Sequence, residues 1–342
     1  MRLLVQPGAG LEPITDAIRR AKRTVDIAVF RLNRREIETA LGQAVQRGVK
    51  VRALIAHTNR GGEDRLRKLE ERLLGLGVTV SRSGDELLKY HGKYLLVDDT
   101  LYVFGFNYTK SDLSKRRSFG VQTRHRRAVS DATRLFECDT GRQPYEGTTT
   151  SPLVVSPETS RAVLTRFISG ARKRLAIYDA RLEDSSFIKL LRQKAEAGVQ
   201  VQVIGKAKLG PAEVRALKDL RIHVRAIIRD GTHAFVGSQS LRKLELDRRR
   251  EVGVIIRNPS VARQMLEVFE ADWNASGPSE KKEDKKNDKD KKEEKKEEKK
   301  DEKKDEKKDE KKDEKKDEKK DDKKEGKDEK KADDKGLVGA RT

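Results

Sequence analysis

The chain is written twice. Residues 3–7 (LLVQP) recur as residues 153–157 (LVVSP), and the segments after them recur in the same order. An amphipathic stretch at 11–22 is matched at 160–173, with apolar residues at helical spacing. The apolar run at 25–30 (VDIAVF) is matched at 175–178 (LAIY), a buried-strand pattern. A second helical stretch, 35–47, runs into Gly48-Val49-Lys50-Val51, and its counterpart, 185–197, runs into Gly198-Val199-Gln200-Val201. Glycine just past a helix, followed by β-branched residues, marks a helix-to-strand transition. A repeat that alternates strand and helix folds as an α/β lobe. The expected architecture is therefore two pseudo-two-fold-related lobes, each a mixed, mostly parallel β-sheet flanked by helices. The first lobe spans 1–140, a Gly/Pro/Thr/Ser-rich linker 141–152, the second lobe 153–277 and a charged tail 278–342. The offset between copies is 150 residues up to Gly198 and 132 at the next shared landmark. That difference predicts the loss of a helix and strand near 205–217.

Charge separates the tail from the lobes. The 342 residues carry a formal charge of +21, but residues 278–342 hold 28 basic and 26 acidic side chains. Residues 1–277 therefore carry +19, which favours polyanionic partners. The tail, almost wholly Lys, Glu and Asp, has too few apolar residues to build a core and is expected to be disordered. Its four-residue repeat also stacks like charges at i,i+4, as in Lys303 and Lys307, which weakens a helix. A single cysteine, Cys138, excludes an intrachain disulfide and a thiolate metal cluster and fits a reducing compartment. No apolar run approaches the ~20 residues of a membrane span. The N-terminus lacks the basic-then-apolar plan of a signal peptide. The expected location is the cytoplasm, with peripheral contact at a membrane surface.

The landmark at offset 132 carries the chemistry. His91-Gly92-Lys93 is followed after four residues by Asp98, and His223-Val224-Arg225 after four residues by Asp230. A turn follows each: Gly105-Phe106-Asn107 in the first copy, Gly237-Ser238-Gln239-Ser240 in the second. On a strand, residues i and i+2 share a face, so each histidine points with its cation. Two-fold packing would set His91 against His223, with Lys93 and Arg225 alongside. Such a pocket suits an anionic phosphodiester: one imidazole attacks phosphorus, the other protonates the departing oxygen, and the cations neutralise the non-bridging oxygens. Asn107, Ser238 and Ser240 are candidates to hold those oxygens as well. His57, His125 and His233 lack this context and read as ordinary histidines, and Cys138 as a helix-face residue.

The twin motif resembles the signature of the phospholipase D superfamily, over roughly residues 1–275. The resemblance implies metal-independent, cofactor-free cleavage or transfer of phosphodiesters through a covalent phosphohistidine. It assigns His91 as nucleophile and His223 as acid and base, with Asp98 and Asp230 structural or orienting. It also implies an acidic residue about 28 positions after each motif histidine, orienting the ring. Glu251 holds that place for His223, and Ser118 holds it in the first copy, leaving His91 less firmly oriented. Arg225 replaces the usual lysine, and Ser240 the usual asparagine. Both motifs lie in one chain, so a monomer suffices for one site.

Two basic stretches come after the motif turns: Lys110, Lys115, Arg116 and Arg117 in one copy, Arg242, Lys243, Arg248, Arg249 and Arg250 in the other. They are expected to form a basic rim that concentrates a phospholipid surface or a nucleic acid. Motif and rim together point to a phospholipase D-type hydrolase cleaving phospholipid headgroups to phosphatidic acid. The alternatives are a nuclease of the same superfamily, cardiolipin-synthase-like transfer, and a non-catalytic scaffold for anionic surfaces.

Overall fold

The computed structural model describes residues 1–278 apart from Arg60, Pro211 and Asp219; the tail expected to be disordered lies outside the described residues from 279 onward. The first copy runs β1 (Arg2–Gln6), α1 (Glu12–Arg19), β2 (Thr24–Val29), α2 (Arg35–Gln46), β3 (Lys50–Ile55), α3 (Glu63–Gly75), β4 (Thr79–Arg82), β5 (Lys89–Tyr90), β6 (Tyr94–Val97), β7 (Thr100–Phe104), α4 (Lys110–Ser114), β8 (Arg116–Thr123) and α5 (Arg126–Thr140). The second runs β9 (Leu153–Ser156), α6 (Ser160–Ser169), β10 (Arg174–Asp179), α7 (Ser185–Glu196), β11 (Gln200–Gly205), β12 (Glu213–Ala216), β13 (Arg221–Ile222), β14 (Arg225–Arg229), β15 (His233–Gly237), α8 (Lys243–Asp247), β16 (Arg249–Ile256) and α9 (Pro259–Ala275). A final short strand, β17 (Gly277–Pro278), pairs with β12.

The two sheets repeat one order. The first is β1-β8-β7-β6-β2-β3-β4, and the second places β9, β16, β15, β14, β10, β11 and β12 in the equivalent positions. Both sheets are mixed, as expected, but parallel pairing within each repeat is confined to β2-β3-β4 and β10-β11-β12. The remainder is an antiparallel meander, because β6, β7 and β8 are joined by connections too short to cross over. The shortening of the second copy also differs from expectation. Among the described residues the second copy has no helix equivalent to α3, whereas β12 remains as the fourth strand. Gly48 and Gly198, at φ +82° and +83°, turn α2 and α7 into the following strands through the left-handed region that a side chain strains.

Three apolar clusters hold the fold. One lies under α1, α2 and α3 (Ile14, Leu41, Leu73) and one under α6 and α7 (Leu164, Phe187, Leu191). The third spans both copies, joining Tyr94, Phe119 and Phe136 to Tyr178, Val252 and Phe269. The inner faces of the two sheets are thus buried against each other, with α5 and α9 packed beside them. A continuous core of this kind makes the lobes one compact unit over the described residues. No helix among the described residues is long and apolar enough to cross a membrane.

Candidate active site

The copies exchange short strands. Lys89 and Tyr90 of β5 pair in parallel with Arg249 and Arg250 of β16, and Arg221 and Ile222 of β13 pair with Arg116 and Arg117 of β8. Each motif histidine comes directly after its short strand. His91 N–H donates to the Arg250 carbonyl at 2.7 Å, and His223 N–H to the Arg117 carbonyl at 3.2 Å. Each ring is therefore stitched to the strand of the other copy and meets that copy's residues.

This crossing corrects the expected partnership of Glu251. Its fully buried carboxylate, at Oε2, lies 2.8 Å from Nδ1 of His91, not beside His223. His91 is thus the firmly oriented ring, and it also packs edge-on to Phe30 at 4.6 Å. Ser118, the counterpart of Glu251, continues the β13–β8 register opposite His223, with its buried hydroxyl unpartnered. The carboxylate near His223 is instead Asp112 Oδ2, 3.5 Å from Nδ1, which makes no hydrogen bond. Burial holds both imidazoles well below the usual histidine pKa, reinforced at His91 by Lys93 and Arg225; the attraction of Asp112 only partly offsets it at His223.

The two cations occupy equivalent places. Lys93 Nζ donates to the His91 carbonyl at 2.6 Å and lies 5.2 Å from the Phe30 ring centroid; Arg225 Nη1 donates to the His223 carbonyl at 3.1 Å. Burial of Lys93 lowers its pKa to about 7, against the attraction of Glu251. Arg225 also donates through Nε to Ser240 Oγ at 3.1 Å.

Asp98 and Asp230, the last members of the repeated motif, stand apart from the two histidines. At about 3.3 Å per residue they lie roughly 20 Å along the strand from their histidines. Each takes positive φ (+49° and +53°) and accepts three main-chain N–H groups: those of Lys22, Arg23 and Thr24 for Asp98, and of Arg172, Lys173 and Arg174 for Asp230. They fasten the loops before β2 and β10.

The turn residues expected to hold phosphate are largely committed elsewhere. Ser238 Oγ accepts the Val252 N–H at 3.1 Å, Ser240 Oγ accepts from Arg225, and Asn107 Nδ2 donates to Asp112 at 2.8 Å. All three support the walls of the site. Sequence reasoning passed over Asp112 and Glu245, the buried acids of α4 and α8. Asp112 accepts the Asn107 N–H and Glu245 the Ser240 N–H, each five residues on, and that repeated spacing was the available signal. Burial works to raise the Asp112 pKa, but His223, Arg116 and the Asn107 hydrogen bonds outweigh it and hold the carboxyl at about 2.

The basic rim is thinner than expected. Arg116 pairs with Asp112, Arg117 with Asp272, Arg242 with Glu183, Arg249 with Glu245, and Arg250 with Asp139 and Glu158. Lys110, Lys115, Lys243 and Arg248 are the members left exposed.

A family model described as "Cardiolipin synthase, PLD-like domain" matches residues 14–140 and 164–273, one segment in each copy. Among solved structures, the polyphosphate kinase of Porphyromonas gingivalis superposes with a TM-score of 0.67 at 20% identity, over 79% of this chain and 49% of the kinase. The chain thus spans about half the length of that protein. The phosphatidylserine synthase of Haemophilus influenzae Rd KW20 superposes with a TM-score of 0.63 at 13% identity, over 80% of this chain and 85% of the synthase. At these identities the likeness is one of fold. No curated protein matches the chain.

Proposed function

Since the chain belongs to the family of cardiolipin synthase-type, phospholipase D-like domains, we propose that its paired histidines form a phosphodiesterase centre working through a phosphohistidine on His91. The observation that carries this reading is the contact between His91 Nδ1 and the buried Glu251 carboxylate. With the Nδ1 proton held by Glu251, Nε2 keeps its lone pair for attack.

The reaction has two steps. His91 Nε2 bonds to phosphorus as the bond to the leaving alkoxide breaks, and His223 gives that oxygen a proton. An acceptor hydroxyl then yields its proton to His223 and attacks phosphorus, freeing His91. Burial leaves both rings neutral in the free protein, so His223 must gain its proton when substrate binds. The phosphodiester supplies the reason, since an anion between the rings favours an imidazolium there. Lys93 and Arg225 meet the charge gathering on the non-bridging oxygens in a site sheltered from water.

The names attached to the family and to the Haemophilus structure are those of cardiolipin and phosphatidylserine synthases. The substrate we propose is accordingly a phospholipid, with water as acceptor and phosphatidic acid as product. Quenching with denaturant at alkaline pH during turnover, with phospholipid vesicles and single-stranded DNA in parallel and each with and without EDTA, tests the reading. It expects an acid-labile, base-stable phosphoenzyme from the lipid, absent in His91→Ala and still formed in His223→Ala when the leaving group is p-nitrophenol. Loss of activity to EDTA, or no phosphoenzyme from either substrate, overturns the mechanism. Turnover of DNA alone moves the substrate to nucleic acid.

A further inference from the structure

Behind the crossover, on the side of the strands away from His91 and Glu251, Tyr90 and Arg250 open on a cavity of about 290 Å³. Arg142, Tyr145 and the acids Glu86, Asp139 and Glu158 stand in its polar wall, with Ser83 and Gln143 beside them. Two buried atoms of opposite character in that wall have no partner: Nε of Arg250, a donor, and Oδ2 of Asp139, an acceptor. The residues themselves are 5% and 9% exposed.

The duplication supplies an internal control. Arg117 and Asp272 are the counterparts of Arg250 and Asp139, and they form a closed pair. Arg117 donates through Nε and Nη2 at 2.7 and 2.9 Å, and the Tyr178 hydroxyl donates to Asp272 at 2.7 Å. On the cavity side the arginine reaches Asp139 through Nη2 alone, at 3.0 Å, and turns Nη1 to the Ser156 carbonyl and Glu158. The position equivalent to Tyr178 is Ala28, and the phenol beside Asp139 is instead that of Tyr90, which leaves Oδ2 without a partner. The same ion pair is complete in one copy and left open in the other.

Arg142 gives a second, independent sign. It follows the end of α5 at φ +51°, the place where helices usually carry glycine, while the neighbouring Gly141 has an ordinary φ of −83°. Arg142 is exposed at the cavity mouth and has no ion pair among the described residues, so its guanidinium is open to an anion entering there. Two guanidinium groups therefore face an acidic group, and Asp139 and Glu158 face a donor. Tyr90 and Tyr145 supply aromatic walls that suit an ammonium.

We propose that this cavity binds a small zwitterion, a primary ammonium two or three bonds from a carboxylate or phosphate. The anionic end lies against Arg250 and Arg142, and the ammonium against Asp139 and Glu158. Because Tyr90 and Arg250 immediately precede His91 and Glu251, an occupant braces the strands that carry the catalytic pair. The proposal stands apart from the reading of the catalytic site, and water filling the cavity is its rival.

Calorimetric titration of the full chain tests it, with phosphoethanolamine and β-alanine as probes and ethanolamine, ethyl phosphate and propionate as controls that carry only one of the two groups. At least one zwitterion is expected to bind with a Kd of about 1 mM or tighter, and the controls about 10-fold more weakly. Binding of only one zwitterion tells phosphate from carboxylate as the anionic end. Arg142→Gly is expected to raise the melting temperature of the free protein, since glycine suits that backbone, and yet to weaken zwitterion binding about 10-fold. His91→Asn should bind unchanged. Absence of zwitterion binding, equal binding of the controls, or binding lost in His91→Asn but kept in Arg142→Gly overturns the proposal.

Discussion

His91 and His223 occupy equivalent places in a duplicated chain, yet their surroundings have parted. His91 meets the fully buried Glu251 at 2.8 Å, whereas His223 has Ser118 in the equivalent place and Asp112 only within 3.5 Å. The ion pairs behind them have parted in the opposite sense. The pair behind His91, Arg250 with Asp139, is open, and the pair behind His223, Arg117 with Asp272, is closed. One ring is thus pinned at its nitrogen and loosely backed, and the other is loose at its nitrogen and firmly backed. Two chemical roles need such a difference. A nucleophile must hold one tautomer and one direction, while an acid–base must accept a proton in one step and return it in the next.

The largest break in the comparison comes from removing the acids. Glu251→Gln takes the orienting charge from His91 and is expected to lower kcat about 100-fold. Asp112→Asn keeps a side chain of the same shape beside His223 and is expected to cost about 10-fold, as a contact longer than a hydrogen bond carries less. Single-turnover measurement with an activated leaving group locates the effects: Glu251→Gln should slow phosphoenzyme formation, and Asp112→Asn chiefly its breakdown. The reverse order would exchange the roles of the two histidines.

Stability distinguishes the two ion pairs. Asp272→Asn leaves Arg117 buried without its countercharge, and urea unfolding should show a loss of about 3 kcal/mol. Asp139→Asn should cost about 1 kcal/mol or less, because Arg250 keeps Glu158 and the Ser156 carbonyl. Burial raises the Asp139 pKa to about 6, against the attraction of Arg250. Its folded-state pKa thus lies above the unfolded value. Its contribution to stability is fully present below the unfolded pKa, near 3.9, and is lost as pH rises through about 6. The Asp139→Asn variant should lack that slope. A slope retained in the variant would assign it to another carboxyl.

Much of this was legible from residue order. The repeat located both sheets, and the spacing of His91, Lys93, His223 and Arg225 located the centre. A repeat states which residues are equivalent but not which copy's strand each will pair with. Hence Glu251 was matched to its own histidine, when the exchange of β5 and β13 carries it to the other. The motif aspartates illustrate a different limit. Asp98 and Asp230 recur with the histidines because both copies need a carboxylate with positive φ to fasten a loop, and recurrence alone does not separate that need from catalysis. Asp112 and Glu245 escaped notice because five-residue helices show no clear period, and their acids differ in length.

The two cations give the comparison its pH dependence. Lys93 and Arg225 hold equivalent positions, but burial brings the Lys93 pKa down to about 7 while a guanidinium stays charged at any working pH. If charge at Lys93 stabilises the transition state, kcat/KM must fall as pH rises through about 7, since the ammonium loses its proton there. Lys93→Arg removes the titrating group. The variant should be about 10-fold slower at pH 6.5, because a planar fork does not fit the ammonium's place, yet flat in pH up to about 9. A kcat/KM profile of each protein checks this. An alkaline limb that survives in Lys93→Arg would shift the titration to another group. A limb that disappears would show that the duplicated site carries one cation that reads pH and one that does not.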